Sequence, residues 1–332
     1  MYPERNGDQC DDNNYIWICV TMPEKQKPYD IQHYQKLDFF SKVILTHDLI
    51  QDFYTKNNGK VTVSFSGGLD STVLLHIARM AAPEIRAVFS NTGLEYPEIV
   101  AFVKTFDNVD IVKPAMRFDT VIKTYGYPVI SKRTSRFISD LQNPTQQNEN
   151  TRNLRLTGIS RCTQPGVLQK SMRLAKKWFF LIVAPFKISD KCCDRLKKDP
   201  LNQYEKEHGT KRIIGIMADE SNMRVQQARR YGTETDKLLQ PMIFWTRQDV
   251  LQYIRFMALP YCKIYGEIIE HNRKFDTTGE HRTGCMFCMF GVHLEKNPNR
   301  FQRMKLTHPN QYNYCINTLG CGKVLDYIGV SY

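Results

Sequence analysis

The octapeptide SFSGGLDS, residues 64–71, is the feature of this sequence that most constrains its fold. A short β-branched run, KVTVSF, ends inside it, and the residues that follow, STVLLHIARMA, have the apolar spacing of a helix. Adjacent glycines let backbone N–H groups approach an anion without a Cβ clash, and a helix N-terminus adds unsatisfied donors. The octapeptide therefore predicts a nucleotide phosphate site, against the simpler alternative of a strand–helix turn with a capping serine. The residues predicted to contact phosphate are Ser64, Ser66, Gly67, Gly68 and Ser71.

Asp70 is the unusual member of the octapeptide. A carboxylate beside phosphates repels them unless it helps to bind a cation such as Mg²⁺. We therefore expect Asp70 to belong to the nucleotide site, to contact Mg²⁺ and to be a candidate catalytic residue.

Strands and helices alternate along the chain after the octapeptide. The segments EIRAVFSNTG and VDIVKPA predict further strands, and PEIVAFVKTF between them predicts a helix that begins at Pro97. This alternation predicts an α/β fold with a doubly wound parallel sheet. A Gln/Asn-rich stretch over 143–153 predicts a loop, 171–181 predicts a basic helix, and TRQDVLQYIRFMAL predicts a helix capped by Thr246.

The composition of the chain changes after Pro260, where Cys, Gly, Asn and Arg accumulate. This change predicts three parts. They are an N-terminal extension and helix over 1–54, a nucleotide-binding domain over 55–260, and a C-terminal region over 261–332 that carries a CxxC turn and the tail.

The charge balance favours an anionic partner. Lys and Arg number 46 and Asp and Glu 34, which gives a formal net charge of +12. Such a surplus favours a polyanionic or phosphorylated partner, and it leaves nucleic acid and small nucleotides both open. No apolar run is long enough to cross a membrane, and the N-terminus lacks the regions of a signal peptide. We therefore expect a cytoplasmic protein with no membrane partner.

Cysteines are the second chemical signal. The chain has 10 of them, a number that favours metal or redox chemistry over disulfides in a cytosolic protein. Cys192 and Cys193 are adjacent, and Cys285 and Cys288 form a CxxC turn that presents two thiolates to one metal centre. An adjacent pair suits a [4Fe–4S] cluster better than one zinc ion, because neighbouring side chains rarely point at the same ion. A zinc site and four unliganded thiols are the alternatives.

These motifs resemble two related groups of proteins. SGGLDS resembles the SGGxDS signature of the PP-loop, or adenine-nucleotide α-hydrolase-like, superfamily, whose loop binds the pyrophosphate part of ATP or a related adenylyl nucleotide. The cysteine pairs resemble the set that holds a [4Fe–4S] cluster in the adenylyl-sulfate reductase branch of the PAPS reductase family. The stretches CCDRLKKDPL, GIMADESNMR, FSNTGLEYPE and LQPMIFWTRQDVLQYIRFMALPY are also similar to segments of that family. The third stretch contains Thr92 and Gly93, which the resemblance places at the nucleotide.

The resemblance also implies roles for basic residues. Arg224 ends the segment similar to the family's GxRxxxSxxR substrate stretch, although Met217 replaces its first arginine. Lys132 and Arg133, in PVISKRTSR, follow a strand-like PVI and sit beside hydroxyls. These cations suit phosphate or sulfate oxygens. We expect all three to contact the nucleotide, the alternative for each being a solvated surface charge.

Two departures from the family pattern bear on the activity. Sulfonucleotide reductases have a degraded glycine loop, because their substrate has no pyrophosphate, whereas the intact SGGLDS implies ATP. Those reductases also attack sulfate sulfur with a cysteine in an ECG(I/L)H tail, and here LGCGKVLDYIGVSY keeps Cys321 and Gly322 without the Glu and the His. Cys321 is a candidate nucleophile beside Lys323, or else a core residue packed against its neighbours. The other cysteines outside the two pairs are expected to be ordinary core or unpaired residues: Cys10, Cys19, Cys162, Cys262 and Cys315.

Three functions remain open at this point. The first is reduction of adenylyl sulfate or its 3′-phosphorylated form, with a thioredoxin-like reductant. The second is ATP-dependent sulfur or adenylyl transfer to a larger anionic substrate such as tRNA or DNA. The third is a nucleotide-binding accessory protein without turnover.

Overall fold

The computed structural model describes residues 30–160 and 166–332. The polar N-terminal stretch lies outside the described residues, as do Cys10, Cys19 and Cys162. Within the described part, buried apolar side chains form a continuous cluster whose members range from Ile31 to Val330. The C-terminal region therefore packs on the same core as the strands, and the domain boundary at residue 260 stays a prediction.

A mostly parallel sheet lies at the centre of the molecule. The strands of the described residues are β1 Val61–Ser64, β2 Arg86–Ser90, β3 Val109–Val112, β4 Val129–Ile130, β5 Lys211–Ile213, β6 Glu234–Thr235, β7 Leu238–Leu239, β8 Ile268–His271, β9 Lys274–Thr277 and β10 Met289–Phe290. The main sheet has the order β3-β2-β1-β5-β7-β6, and β6 pairs antiparallel with β7. β10 pairs parallel with β4, and β8 and β9 form a hairpin.

Helices surround and extend this sheet. They are α1 Ile31–Gln35, α2 Phe39–Lys56, α3 Leu69–Ala81, α4 Pro97–Val103, α5 Phe118–Thr124, α6 Lys132–Gln142, α7 Glu149–Thr157, α8 Lys191–Cys193, α9 Asp199–His208, α10 Asn222–Tyr231, α11 Arg247–Phe256, α12 Arg300–Thr307, α13 Pro309–Asn313 and α14 Cys321–Tyr327. Two π-helical turns, Asp194–Lys198 and Tyr314–Thr318, follow α8 and α13. None of the helices in the described ranges combines the length and the apolarity that a bilayer crossing requires.

The strand order reverses at β1. The chain passes from β1 through α3 to β2 and through α4 to β3 on one side, and it later places β5 on the other side of β1. Val61, Thr62 and Val63 are buried, as in a parallel strand covered on both faces. A crevice forms at the carboxyl ends of the strands at such a switch point, and the glycine turn (residues 64–71) occupies this end of β1. The predicted α/β fold with a parallel sheet is confirmed.

The Gln/Asn-rich stretch predicted as a loop is only partly one. α7 begins at Glu149, inside that stretch. The Arg155 side chain donates to Asp140 at 3.0 Å, and its guanidinium lies 4.0 Å from the ring centre of Phe137 on α6. These contacts hold α7 against α6, so tertiary packing overrides the weak helix propensity of the local sequence.

The basic stretch 171–181 is not a continuous α-helix either. It contributes to two 3₁₀ turns, Lys170–Met172 and Lys176–Val183, and the backbone is extended at Arg173 and Ala175 between them. The apolar side chains of this stretch therefore do not follow one helical face.

The helix predicted after Trp245 is confirmed. Thr246 caps α11 in a reciprocal capping box with Asp249. Asp249 also accepts a hydrogen bond from the buried Lys42 ammonium at 2.8 Å, and Trp245 Nε1 donates to Thr46 Oγ1 at 2.8 Å. These bonds join α2 to α11, and both helices pack against α3, the helix that leaves the glycine turn.

Candidate functional site

The glycine turn requires glycine for both its conformation and its space. Gly67 has a φ of +71°, and a Cβ there would lie 2.8 Å from Val103 Cγ2 and 3.0 Å from Ile99 Cγ2. Gly68 is the N-cap of α3, and no side chain caps this helix. A tight turn that presents an uncapped helix N-terminus has the form of an anion site.

Serine hydroxyls close the glycine turn. The Ser66 N–H donates to Ser71 Oγ at 3.2 Å, and the two hydroxyl oxygens lie 3.0 Å apart. The Ser71 and Thr72 hydroxyls both donate to the Gly68 carbonyl, at 3.0 and 2.9 Å. Ser71 is buried and Ser66 is exposed, so Ser66 is the hydroxyl of this pair that an anion can reach.

Asp70 lies in the first turn of α3. Burial raises the pKa of its carboxyl to about 6 and Glu220 adds to the increase, while the guanidinium groups of Arg247 and Arg282 oppose it. Glu220 belongs to the loop after β5, which approaches α3 closely, since a Cβ on Gly215 would lie 3.4 Å from the Asp70 carbonyl. The two carboxyls thus lie on the strand ends that meet at the switch point, where a cation beside bound phosphate would need oxygen ligands.

A cavity of about 120 Å³ lies beside the glycine turn, and we call it the turn cavity. Its polar lining comes from several segments that are distant in sequence: Ser64, Ser66, Ser90, Glu95, Lys197 and Thr283. Phe65, Val88 and Ile99 are among its apolar walls. A cavity with apolar walls and a few convergent polar groups has the character of a small-molecule site.

Two residues predicted at the nucleotide line a neighbouring cavity. Thr92 and Gly93 border a space that also reaches Tyr314. The Thr92 N–H and hydroxyl donate to the Glu95 carboxylate at 2.9 and 2.8 Å. Their contact with a nucleotide stays a prediction, and the structure connects them to the turn cavity through Glu95.

Three predicted cations lie outside the lining of the turn cavity. The Lys132 ammonium is 3.2 Å from Asp194, and the Arg224 guanidinium is 3.7 Å from Glu220. Arg133 is exposed. Direct contact of these cations with a nucleotide likewise stays a prediction.

The two cysteine pairs meet in space. Cys192, Cys193, Cys285 and Cys288 line one cavity, which we call the cysteine cavity. Burial raises the pKa of the Cys192, Cys285 and Cys288 thiols, and neighbouring thiolates raise it further. The other lining residues are Leu94, Phe118, Pro128, Leu196, Lys197 and Phe290. The thiols therefore have an apolar surrounding with one cation.

Proline explains the local form of the helix that carries the first pair. Pro200 lacks an N–H, so the Leu196 carbonyl loses its usual helical donor. Ser90 Oγ donates to that carbonyl instead, at 3.1 Å. The π-helical turn Asp194–Lys198 lies in this segment, and such turns change the direction in which the following side chains point. In this arrangement Lys197 reaches the same cavity as the two cysteines before it.

Backbone hydrogen bonds position the CxxC turn. The Met286 N–H donates to the Leu94 carbonyl at 2.8 Å, and the Cys288 N–H donates to the Cys285 carbonyl at 3.1 Å. β10 follows directly and pairs with β4. Arg300 Nη1 donates to the Cys288 carbonyl at 3.0 Å. The second pair is thus held on both sides by ordered backbone.

Lys197 borders both the turn cavity and the cysteine cavity, and the sequence interpretation missed it. The Cys285 thiolate raises the pKa of Lys197 most, and Glu95 adds to this, against the effect of burial. Lys197 in turn opposes the burial that raises the pKa of Cys285 to about 11. One half-buried ammonium therefore links a thiol of the quartet to a carboxylate of the turn cavity. Its position four residues after Cys193 was the available sequence signal.

The donor set of the cysteine cavity suits an iron–sulfur or zinc group. No side chain of its lining carries an oxygen, and thiolates without oxygen ligands select such metals. Across residues 30–160 and 166–332, no three His, Cys, Asp or Glu side chains are arranged as ligands of one metal ion. The cavity measures about 20 Å³, so the fit rests on the donor set and not on free volume.

Cys321 lies in the core of the C-terminal region. It begins α14, and both Cys321 and Cys315 are 0% exposed. Hydrogen bonding with the Cys321 thiol, together with burial, raises the pKa of Cys315. Cys321 lines neither the turn cavity nor the cysteine cavity. Its role as a nucleophile stays a prediction.

A curated relative and several solved structures are similar to this chain. An uncharacterized protein of Methanocaldococcus jannaschii is 22% identical over 305 residues, which cover 89% of this chain and 56% of the relative. The chain therefore spans about half the length of the curated relative it matches.

The solved structures are more distant. Phosphoadenylyl-sulfate reductase from Candida auris has 14% identity and a TM-score of 0.38, over 74% of this chain and 95% of the other. The U34-tRNA thiolase of Methanococcus maripaludis, solved with its [4Fe–4S] cluster, has 15% identity and a TM-score of 0.36, over 88% and 82%. NH3-dependent NAD synthetase from Campylobacter jejuni has 12% identity and a TM-score of 0.36, over 67% and 75%. We draw no conclusion about activity from likenesses at this level.

The family comparison covers most of the chain. The model of the phosphoadenosine phosphosulfate reductase domain matches residues 60–138 and 145–323. These ranges contain the glycine turn, both cysteine pairs, Lys197 and Cys321. The chain therefore belongs to the phosphoadenosine phosphosulfate reductase domain family.

Proposed function

We propose that this chain is an ATP-dependent sulfur transferase that binds ATP at the glycine turn and a [4Fe–4S] cluster at the cysteine cavity. The observation that carries the proposal is the position of Lys197, whose side chain borders both cavities. An ammonium group that borders both a nucleotide pocket and four thiols is expected in a site where a nucleotide and a sulfur group react together.

The glycine turn supports ATP as the nucleotide. Gly67 and Gly68 leave backbone space for two linked phosphates, and the uncapped end of α3 supplies positive charge. Asp70 and Glu220 would contact Mg²⁺ beside those phosphates, which relieves the repulsion between the two carboxyls. The adenosine would occupy the turn cavity against Phe65 and Ile99.

Cys192, Cys193, Cys285 and Cys288 would hold the cluster, which when bound supplies Lewis-acidic iron for a sulfur ligand. The residues of the chain set its environment. The Lys197 ammonium would offset the negative charge of the thiolates, and the apolar walls Leu94, Phe118 and Phe290 would exclude water.

The proposed reaction has two balanced steps. An acceptor oxygen attacks the α-phosphorus of ATP, an oxygen–phosphorus bond forms, and the bond to the β-phosphate bridge breaks so that pyrophosphate leaves. Hydrosulfide then attacks the acceptor atom that carries the adenylate, and AMP leaves with the oxygen. Hydrosulfide is the sulfur donor class that the reaction requires, and neither step needs an oxidant or a reductant.

Sulfonucleotide reduction is the second candidate, because the family match extends over Cys321 and Gly322. In that reaction the thiolate attacks the sulfate sulfur of adenylyl sulfate, the sulfur–oxygen bond breaks and AMP leaves. A thioredoxin-like dithiol then releases sulfite. The complete burial of Cys321 argues against it, because the thiol would have to reach the nucleotide through a rearranged tail.

Two incubations separate these reactions. Anaerobically purified protein is given ATP with hydrosulfide and nucleic acid, and separately adenylyl sulfate with thioredoxin. Pyrophosphate release in the first supports the transferase. Sulfite release in the second that disappears in Cys321→Ser supports the reductase and contradicts the main proposal. Nucleotide binding without turnover in either would support an accessory role.

Metal analysis tests the cluster independently of turnover. We expect the purified protein to contain iron and acid-labile sulfide. It should also show broad absorbance at about 400 nm, as other iron–sulfur proteins do. A colourless protein with stoichiometric zinc contradicts the cluster and leaves the ATP site unaffected.

A further inference from the structure

A further cavity, of about 720 Å³, opens beside the turn cavity and the cysteine cavity. Two segments of the C-terminal region form most of its walls, residues 280–285 before and within the CxxC turn and residues 295–303 at the start of α12. Its charged lining residues are Glu280, Arg282, Glu295, Lys296, Arg300 and Arg303. We call it the basic groove.

The carboxylates of the basic groove are already paired. Arg303 binds Glu280 through two hydrogen bonds of 2.9 and 2.8 Å. Arg300 forms an ion pair with Glu295. These pairs hold the groove walls together and leave its remaining cations uncompensated.

Arg282 and Lys296 are those remaining cations. Both are exposed, and neither has a hydrogen bond or an ion pair at contact distance within the described ranges 30–160 and 166–332. Arg282 also acts on Asp70, since its charge opposes the rise in the pKa of that carboxyl. The groove therefore presents free positive charge close to the glycine turn.

The basic groove adjoins the other two cavities. It shares Tyr96, Thr283 and Gly284 with the turn cavity, and Cys285 with the cysteine cavity. A Cβ placed on Gly284 would meet no atom within 4 Å, so this backbone faces open space. A molecule in the groove would therefore reach the nucleotide and the thiols together.

His293, two residues before Glu295 of the groove, contacts an aromatic ring that has one cation beside it. His293 packs edge-on against Trp178 at 5.3 Å, and the Lys177 ammonium lies 5.0 Å from the Trp178 ring centre. Lys177 also lowers the pKa of His293, after the larger effect of burial. Aromatic rings beside cations are the elements that bind stacked bases and phosphates of single strands.

We infer that the basic groove binds the phosphodiester backbone of a nucleic acid and presents one of its nucleotides to the turn cavity as the acceptor. This rests on the proposed transferase function and specifies its substrate class. Paired carboxylates, two free cations and a formal net charge of +12 favour a polyanion over an acidic peptide of a few charges.

Binding of labelled tRNA, single-stranded DNA and duplex DNA, measured against salt, tests the inference. The double variant Arg282→Ala/Lys296→Ala should bind about tenfold more weakly at low salt, and the slope of log K against log salt should fall by about 2. The matched control Lys36→Ala/Lys237→Ala removes two exposed charges that line none of the three cavities and should leave the slope unchanged. Thermal melts of both variants check that the fold is kept.

Clear outcomes overturn the inference. The inference is contradicted if the salt slope of the groove variant is unchanged. It is also contradicted if the control variant loses as much affinity, or if polyglutamate binds as tightly as nucleic acid. The three nucleic acids separate RNA from DNA as the source of the phosphodiester.

Nucleotide binding distinguishes failure of this inference from failure of the proposed function. If ATP binds and no nucleic acid does, the groove assignment is wrong and the ATP site stands. If nucleic acid binds through Arg282 and Lys296 but ATP does not, the transferase proposal fails and the groove assignment stands. Gly284→Leu fills the passage between the cavities, so it should keep nucleic-acid binding and abolish the release of pyrophosphate that nucleic acid stimulates.

Discussion

Two groups of cysteines in this protein are similar in sequence setting and different in surroundings. Cys192 and Cys193 directly precede one π-helical turn, and Cys315 lies within another, six residues before Cys321. The first two join the CxxC cysteines at a cavity that also contains Lys197. Cys315 and Cys321 are completely buried in the core.

The difference lies in what surrounds the thiols. The quartet has a cation to offset thiolate charge and is continuous with a polar cavity through Lys197. Cys315 and Cys321 lie in the core near Tyr127, and the hydrogen bond between the two thiols raises the pKa of Cys315, so that this thiol stays protonated. Of the two groups, the quartet is therefore the better candidate for a metal site, because a cation beside it can offset thiolate charge.

Removing one thiol from each group gives the largest expected effect. Cys288→Ser should abolish iron and sulfide binding, because the cluster needs four thiolates. Cys315→Ser should keep the iron content of the wild-type protein. The measurement is iron and acid-labile sulfide per chain after anaerobic purification. Equal iron loss in the two variants would break the comparison between the two cysteine groups.

Lys197 offers a test with a neighbouring control. Lys197→Met should lower activity or cluster retention about 10- to 100-fold, because it removes a charge partner of the proposed ligand Cys285. Lys198→Met removes a partly exposed ion pair with Asp194 and should have a much smaller effect. Cluster retention is measured as absorbance against time in air, and activity is measured as pyrophosphate release. Identical behaviour of the two variants would remove Lys197 from the proposed link.

The glycine turn allows a similar comparison between adjacent residues. Gly67→Ala should destabilise the fold by about 2–3 kcal/mol, because of its positive φ and its contact with Val103. Gly68 has a φ of −78°, and a Cβ there would lie 3.2 Å from Tyr265 Oη, so Gly68→Ala should cost less than about 1 kcal/mol. Denaturant unfolding and ATP titration separate the effects. Only the Gly68 variant should combine near-normal stability with weakened ATP binding.

Asp70 offers a test whose effect depends on pH. Burial raises the pKa of its carboxyl from 3.8 to about 6 in the folded protein, so folding favours the protonated form. The carboxyl therefore destabilises the folded state progressively as pH rises from 3.8 to 6, and the cost persists above that range. Asp70→Asn should be more stable than the wild type by about 3 kcal/mol at pH 7 and equally stable below pH 4. The measurement is thermal melting of both proteins without nucleotide. A stability gain over the wild type that is larger at pH 4 than at pH 7 would contradict this prediction.

Sequence reasoning predicted the strand–turn–helix unit because its signals are local. The β-branched run before Ser64, the two glycines and the amphipathic α3 lie within a short segment, and each element forms where it was expected. It predicted a loop over 143–153 and did not predict α7, which begins at Glu149, because that helix depends on the contact of Arg155 with Asp140. The residue pattern within one segment does not predict its contact with another segment of the chain.

The site was predicted unevenly for the same reason. Residues of the glycine turn line the turn cavity and the two cysteine pairs meet, whereas Thr92 and Gly93 border another cavity. Glu95 was missed because a single carboxylate in a surface-like stretch has no distinguishing pattern. Lys197 was missed although it follows Cys193 by four residues, because that spacing alone does not show which cavity the side chain reaches. The cavity linings identify both residues, Glu95 at the turn cavity and Lys197 at both cavities.

The sequence by itself determined the α/β class, the glycine turn and the residue types that could hold phosphate and metal, because these follow from propensity and backbone space over a few residues. The tertiary structure alone decided which of those residues share a cavity. The reversal of strand order at β1 places the ends of β1, β2 and β5 together, and the CxxC turn is bonded to Leu94 after β2. Long-range packing of that kind has no local sequence pattern. The basic groove and the position of Lys197 beside two cavities are therefore seen only in the folded chain.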